Sequence, residues 1–248
     1  MTTSTIDAAE VAKFEAMAAA WWDPRGEAAP LHRLNPCRLD YICDQIAAQF
    51  GRDRRAPAPF DGLSLVDVGC GGGLVAEPMA RLGARVTGLD ASGATVDAAR
   101  LHAAGQGLEI DYRAETAEAL AASGARFDVV LALEIVEHVA DVGAFLDALA
   151  ALARPGGLVI LSTLNRTAAS FAAAIVGAEY VLRWLPRGTH DWRRFVTPDA
   201  LSAAAARAGL SPVDRMGMVF NPLSGDFRLS ARDLSVNYLL TAEKHSVR

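Results

Sequence analysis

Leu65-Val66-Asp67-Val68-Gly69-Cys70-Gly71-Gly72-Gly73-Leu74 decides how the rest of the chain is read. Four residues rich in β-branched side chains give way to glycines at 69, 71 and 73, and Leu74 then opens an apolar helical pattern. That order predicts a buried strand, a tight turn and a helix start. Glycines without Cβ atoms let the backbone press against a ligand. The helix behind them presents free N–H groups and the positive end of its dipole. Ala84-Arg85-Val86-Thr87-Gly88-Leu89-Asp90 reads as the next strand and ends on a carboxylate. An acid at the tip of strand two, about 20 positions beyond the first glycine, is placed to accept hydrogen bonds from ribose hydroxyls. A nucleoside-containing cofactor is the expected ligand.

The spacing narrows the choice. Counted from Gly69, the third glycine of a dinucleotide G-x-G-x-x-G falls on Leu74; counted from Gly71, a register through Ala76 starts late relative to the strand. The only lysines are Lys13 and Lys244, so no Gly-Lys-Ser/Thr phosphate loop exists.

The 248 residues suffice for one domain with additions, and the net charge of −5 argues against general nucleic-acid binding. No apolar run reaches the ~18 residues of a membrane span, and no charged-then-apolar leader opens the sequence. Cys37, Cys43 and Cys70 are odd in number and lack metal-type spacing, so a reducing cytoplasm is the expected home.

Outward from the glycine turn, apolar runs and helical patterns alternate. Strands are expected at 65–68, 85–89, 108–112, 127–133 and 158–162, with helices near 74–82, 94–104, 115–122 and 141–153. This alternation predicts an α/β fold, a Rossmann-like, doubly wound, mostly parallel sheet of seven strands, closed by strands near 212–219 and 235–242. Residues 1–60 read as an N-terminal helical cap and linker, and 61–248 as the main domain. In the cap, an amphipathic helix from Ala9 carries Phe14, Met17, Ala18 and Trp21. A turn-rich connector over Pro30–Pro36 precedes a second helix from Cys37 to Gln49, whose Arg38 is a candidate partner for an acidic cofactor group. All four tryptophans, 21, 22, 184 and 192, fall outside the sheet core. Singly each is core filler; their segregation favours an aromatic roof over a substrate.

Glu134-Ile135-Val136-Glu137-His138 follows strand four at the rim where a ligand sits. In a helical turn Glu134, Glu137 and His138 share one face. Such a set suits a divalent cation, Mg, Mn or Zn. The alternatives are a general base, His138 or a carboxylate, and two Glu side chains that merely cap backbone N–H groups. A cation here would stabilise an anionic oxygen nucleophile and orient a substrate through its oxygens.

From Asn165 to Phe195 a helical insertion carries Phe171, Ile175, Ala178, Leu182 and Leu185 at helical steps. It holds five arginines against Glu179 and Asp191. A basic, Trp-bearing amphipathic helix reads as a contact with an anionic membrane surface, or else as a helix laid on the domain's own core.

These residues carry a resemblance. Trp21-Trp22-Asp23, Pro30-Leu31-His32-Arg33, Asn35-Pro36 with Arg38-Leu39, Leu65–Gly73, Glu134 with Glu137-His138, Ser162–Arg166, Val176–Tyr180, Gly188–Asp191 and Val236-Asn237-Tyr238 resemble the bacterial ubiquinone-biosynthesis O-methyltransferases nearly end to end. The glycine turn with Asp67 and Gly71 resembles the S-adenosylmethionine-dependent methyltransferases in general. The resemblance implies S-adenosylmethionine as cofactor, bound by Arg38, Gly69, Asp90 and position 133, which is often methionine in the family and is Leu133 here. It further implies a divalent metal on Glu134, Glu137 and His138, a polyprenylated phenol or catechol as substrate, and two O-methylation steps at one site. Peripheral attachment to the inner membrane through 165–195 and contact with other ubiquinone-biosynthesis enzymes complete it. The rival oxidoreductase reading suffers from the displaced glycine register and the lack of Tyr-x-x-x-Lys. A base-methylating reading lacks the Asn/Asp-Pro-Pro-Tyr run after strand four.

Overall fold

The structure is a computed structural model that describes residues 5, 7, 11, 21–26, 28–173 and 191–245. The expected cap helix from Ala9 and most of the apolar stripe of the insertion (Ile175, Ala178, Leu182, Leu185) lie outside the described residues.

Helix α1 spans Ala29–Phe50. The sequence suggested a connector over 30–36, and the structure replaces it with unbroken helix. Pro30 stands in the first turn, where a missing N–H costs nothing. Pro36 gives up one hydrogen bond, offset by the stripe Leu34, Arg38, Tyr41, Ile42 and Ile46 that the helix buries. Gly51 ends it in the left-handed conformation.

Strands and helices then alternate: β1 (Ser64–Val68), α2 (Ala76–Arg81), β2 (Arg85–Asp90), α3 (Gly93–Gly105), β3 (Asp111–Ala114), α4 (Ala117–Ala122), β4 (Phe127–Leu133), α5 (Val142–Leu152), β5 (Ala153–Leu164). After the insertion come α6 (Pro198–Arg207), β6 (Leu210–Phe220), β7 (Phe227–Ser230) and β8 (Asn237–Lys244). The sheet order is β3-β2-β1-β4-β5-β8-β6-β7. Strands β1 to β5 pair in parallel, whereas β8 runs antiparallel to both β5 and β6. The sheet has eight strands rather than seven. The addition is β7, four residues on the edge, returned by a tight turn at Gly225 and too short to carry a sequence period. Strand β3 begins three residues later than expected, because Gly107 and Leu108 still turn back onto the end of α3.

Alternate residues of each strand face opposite layers. Leu65, Leu131 and Ile160 pack with α1, α2 and α3, while Val66, Val130 and Leu161 pack with α4, α5 and α6. Burying each such side chain contributes about 1.5–3 kcal/mol. The cap joins this core directly: the Tyr41 hydroxyl donates to Asp214 on β6 at 2.8 Å and lies 2.8 Å from the Thr241 hydroxyl on β8. The strand order reverses between β1 and β4, so the carboxyl ends of these strands open a crevice.

Candidate active site

The glycine turn fills the floor of that crevice. Gly69 and Gly71 both take positive φ, +73° and +53°, a conformation that disfavours any side chain. The N–H groups of Gly69 and Cys70 donate to Leu89 O at 2.8 and 2.9 Å, stitching the turn to β2. At the tip of β2, Asp90 accepts from the N–H of Gly71 at 3.1 Å and from the N–H of Ser92 at 2.9 Å. It thus fixes the turn while keeping lone pairs towards the crevice. Burial pushes its carboxyl above the usual range, against the pull of these N–H groups.

Asp67 lies within β1, 2% exposed. Burial pushes its carboxyl up to about 7 against the pull of Arg38, with Asp90 adding to the rise and the Ala76 N–H opposing it. Arg38 enters from α1, also buried, and donates through Nη2 to Asn35 at 2.9 Å. Burial lowers its pKa while Glu134 and Asp67 support its charge. Its Nε has no partner. Asn35 in turn donates to Leu74 O at 2.7 Å, fastening the cap to the start of the helical pattern behind the turn. Leu133, at the end of β4, gives the crevice an apolar wall.

Glu134, Glu137 and His138 line the same cavity as Arg38, Asp67, Gly69, Gly71, Asp90 and Leu133. The expectation that one helical turn brings the three to a point is corrected. Only Val136–His138 forms a 3₁₀ turn, and Glu134 stands before it with φ +52°, the one non-glycine residue with positive φ among those described. Its carboxylate accepts from the Ser162 hydroxyl at 2.7 Å and from the Asn237 amide at 3.2 Å, while its N–H donates to Ser162 O at 3.0 Å. Glu137, 4% exposed, accepts from the Thr163 hydroxyl at 2.6 Å. Among the described residues no group of three His, Cys, Asp or Glu side chains is spaced to hold a metal ion. The carboxylates are held by hydroxyls and an amide instead, so the set does not fit a preformed metal centre.

Ser162, Thr163 and Asn237 were missed as site residues. They sit on β5 and β8, 26 to 103 positions from the acids they hold, beyond any local pattern. The tryptophans divide. Trp21 faces the cavity; Trp22 donates to Gly72 O at 2.9 Å and stacks on His102, with ring centroids 3.6 Å apart. Trp192 lies edge-on to Phe171, and Trp184 is outside the described residues.

A doubly wound sheet with a glycine turn at its switch point and an acid at the tip of β2 is built to hold a nucleoside-containing cofactor, and the family match makes the chain an S-adenosylmethionine-dependent methyltransferase. Residues 38–214 match the methyltransferase domain family. Its fold is that of a magnesium protoporphyrin IX methyltransferase from Synechocystis PCC 6803, solved with bound SAM: TM-score 0.63 at 18% identity, over 99% of this chain and 100% of that one. The ubiquinone biosynthesis O-methyltransferase of Cereibacter sphaeroides is 64% identical over 99% of both chains, and that of Dinoroseobacter shibae 63% identical over 96% of both. The chain belongs to the ubiquinone biosynthesis O-methyltransferases.

Proposed function

We propose that the chain transfers a methyl group from S-adenosylmethionine to ring hydroxyls of polyprenylated phenol and catechol intermediates, serving both O-methylation steps of ubiquinone biosynthesis. The observation that carries this reading is the charge of the crevice. Asp7, Asp67, Asp90, Glu115, Glu134 and Glu137 line it against Arg38 and His138. Such a wall suits a ligand that carries a sulfonium and an ammonium but only one carboxylate.

Bound S-adenosylmethionine supplies the electrophile: the phenolic oxygen takes the methyl carbon in line, and the C–S bond breaks to leave a neutral thioether. The chain's residues do the rest. Asp90 and the glycine turn hold the nucleoside, and Leu133 walls the base. A phenol, with a pKa near ~10, needs a proton acceptor as its oxygen attacks. His138, at the rim, takes that proton in this reading. Glu134 and Glu137, held by Ser162, Asn237 and Thr163, favour the positive charge that His138 takes on with the proton. Holding nucleophile and methyl in line supplies much of the remaining acceleration.

The divalent cation implied by the resemblance requires both carboxylates to turn from their present donors, and no step here passes through it. Among the described residues no helix is long and apolar enough to cross a membrane. Attachment of the insertion to the inner membrane from the cytoplasmic side, and contact with other enzymes of the route, belong to this proposal.

Incubation with methyl-labelled S-adenosylmethionine and a short-prenyl catechol tests the reading. Label is expected in the catechol, no absorbance change with NADH, and loss of transfer in His138→Ala with cofactor affinity kept. Failure of the parent chain to label prenylated phenol or catechol overturns it. Loss of activity on exhaustive chelation, restored by Mg or Zn, would show that a cation, and not His138 alone, makes the phenol a nucleophile.

A further inference from the structure

Trp21 belongs to the cap, yet its indole lies across the glycine turn. A Cβ placed on Gly71 would stand 2.7 Å from Trp21 Cη2, and one on Gly72 would stand 2.5 Å from Trp21 Cβ. The ring is 7% exposed and packs with Ala28 and Leu74. Its neighbours pin it there. His32 Nε2 meets Trp21 O at 2.8 Å, and Trp22, the next residue, is hydrogen-bonded to Gly72 and stacked on His102. His102 itself rests on the buried Glu77 at 2.6 Å.

The Trp21 Nε1–H is buried with no partner, and so is Nε of Arg38. Both side chains line the cofactor crevice. A buried donor left unpaired is costly, and native structures contain few of them. Two such donors in one wall point to an acceptor that arrives with the ligand. S-adenosylmethionine has ribose hydroxyls, an adenine and one carboxylate. Hydroxyls are served by the acceptor Asp90, and the ligand's carboxylate cannot rest against the six acids of the lining. It belongs where unpaired donors gather.

We propose that Trp21 is a cofactor-binding residue, roofing the glycine turn with its ring and joining Arg38, through its indole N–H, in receiving the carboxylate at the amino-acid end of the cofactor. This rests on S-adenosylmethionine being the cofactor. It also gives Gly71 and Gly72 a second purpose, since they leave room for the indole as well as for the ligand.

Calorimetry with two probes tests it. S-adenosylhomocysteine carries the carboxylate; 5′-methylthioadenosine keeps the nucleoside and thioether without it. Trp21→Phe retains a ring over the turn and removes the N–H. It is expected to weaken S-adenosylhomocysteine roughly tenfold or more, as for a hydrogen bond to a charged group, with methylthioadenosine affinity unchanged. Equal weakening of both probes, or of neither, overturns the proposal. A measurement on the unsubstituted chain guards against a misfolded variant. The ¹⁵N-indole resonance of Trp21 should move downfield with S-adenosylhomocysteine and stay put with methylthioadenosine, and identical responses overturn the proposal. Should the parent chain bind neither probe, the cofactor reading falls, and this one with it.

Discussion

Asp67 shows how much one side chain adjusts in this crevice. Its carboxyl is pushed up to about 7, chiefly by burial, from an ordinary value near ~3.9. Between those pH values the folded chain keeps a proton that the unfolded chain has lost. Stability from this group is therefore greatest on the acid side and declines as pH rises through about 7. A cationic ligand reverses the preference and favours the ionised form. S-adenosylmethionine binding at pH 6 should release up to one proton, and affinity should climb towards neutrality by at most about tenfold per pH unit. Titrations in buffers of different ionisation enthalpy check this. Asp67→Asn should show a flat profile, and equal proton release by both proteins would remove Asp67 from the cofactor site. The sequence marked Asp67, Asp90 and the Glu134-Glu137-His138 run because turn spacing and strand ends are local signals, whereas Arg38 entered from the cap helix and the family resemblance. Ser162, Thr163 and Asn237 escaped because they are legible only once distant strands lie side by side.

Among the elements, α1 departed furthest from its sequence pattern. Pro30 and Pro36 signalled a broken connector, yet the buried stripe outweighed them and a single helix of 22 residues forms. What locks it to the sheet is the Tyr41–Asp214–Thr241 group, in which burial raises the Tyr41 phenol well above its usual range. Tyr41→Phe removes the donor and leaves Asp214 and Thr241 short of a partner. The expected cost is about 1–3 kcal/mol of stability, read by urea denaturation, with little change in cofactor affinity at 25 °C. A loss of less than ~0.5 kcal/mol would mean that packing alone holds the helix. Strands β1, β4 and β5 were legible because each carries a continuous apolar run, whereas β3 has one buried residue, Tyr112, and β7 is a four-residue edge strand whose exposure follows no clean alternation.

On the scale of the whole molecule, the insertion follows β5 and so opens at the carboxyl end of the sheet, on the side of the crevice. Its described flanks present Phe171, 45% exposed, beside Trp192, 37% exposed. A polyprenylated phenol partitions into the bilayer, and an enzyme that collects it there gains from a basic, aromatic surface. Reversible binding to anionic liposomes is expected, weakened by salt as screening shortens the reach of charge. Leu182→Asp with Arg183→Glu should reduce that binding more than activity on a short soluble catechol. Unimpaired flotation of a folded double variant would place the attachment elsewhere. The position of β8 has a further consequence, for how the protein is made. The last strand of the described chain inserts between β5 and β6 and carries Asn237, which holds Glu134. Domains grow from the N-terminus at about 5–20 residues per second on the ribosome. The nascent chain can therefore assemble β1 to β5 and the glycine turn while its β6–β7 hairpin waits unattached. Only when β8 has emerged does the sheet close and Glu134 gain its second clasp, so nascent chains would form the glycine turn before Glu134 is fully held.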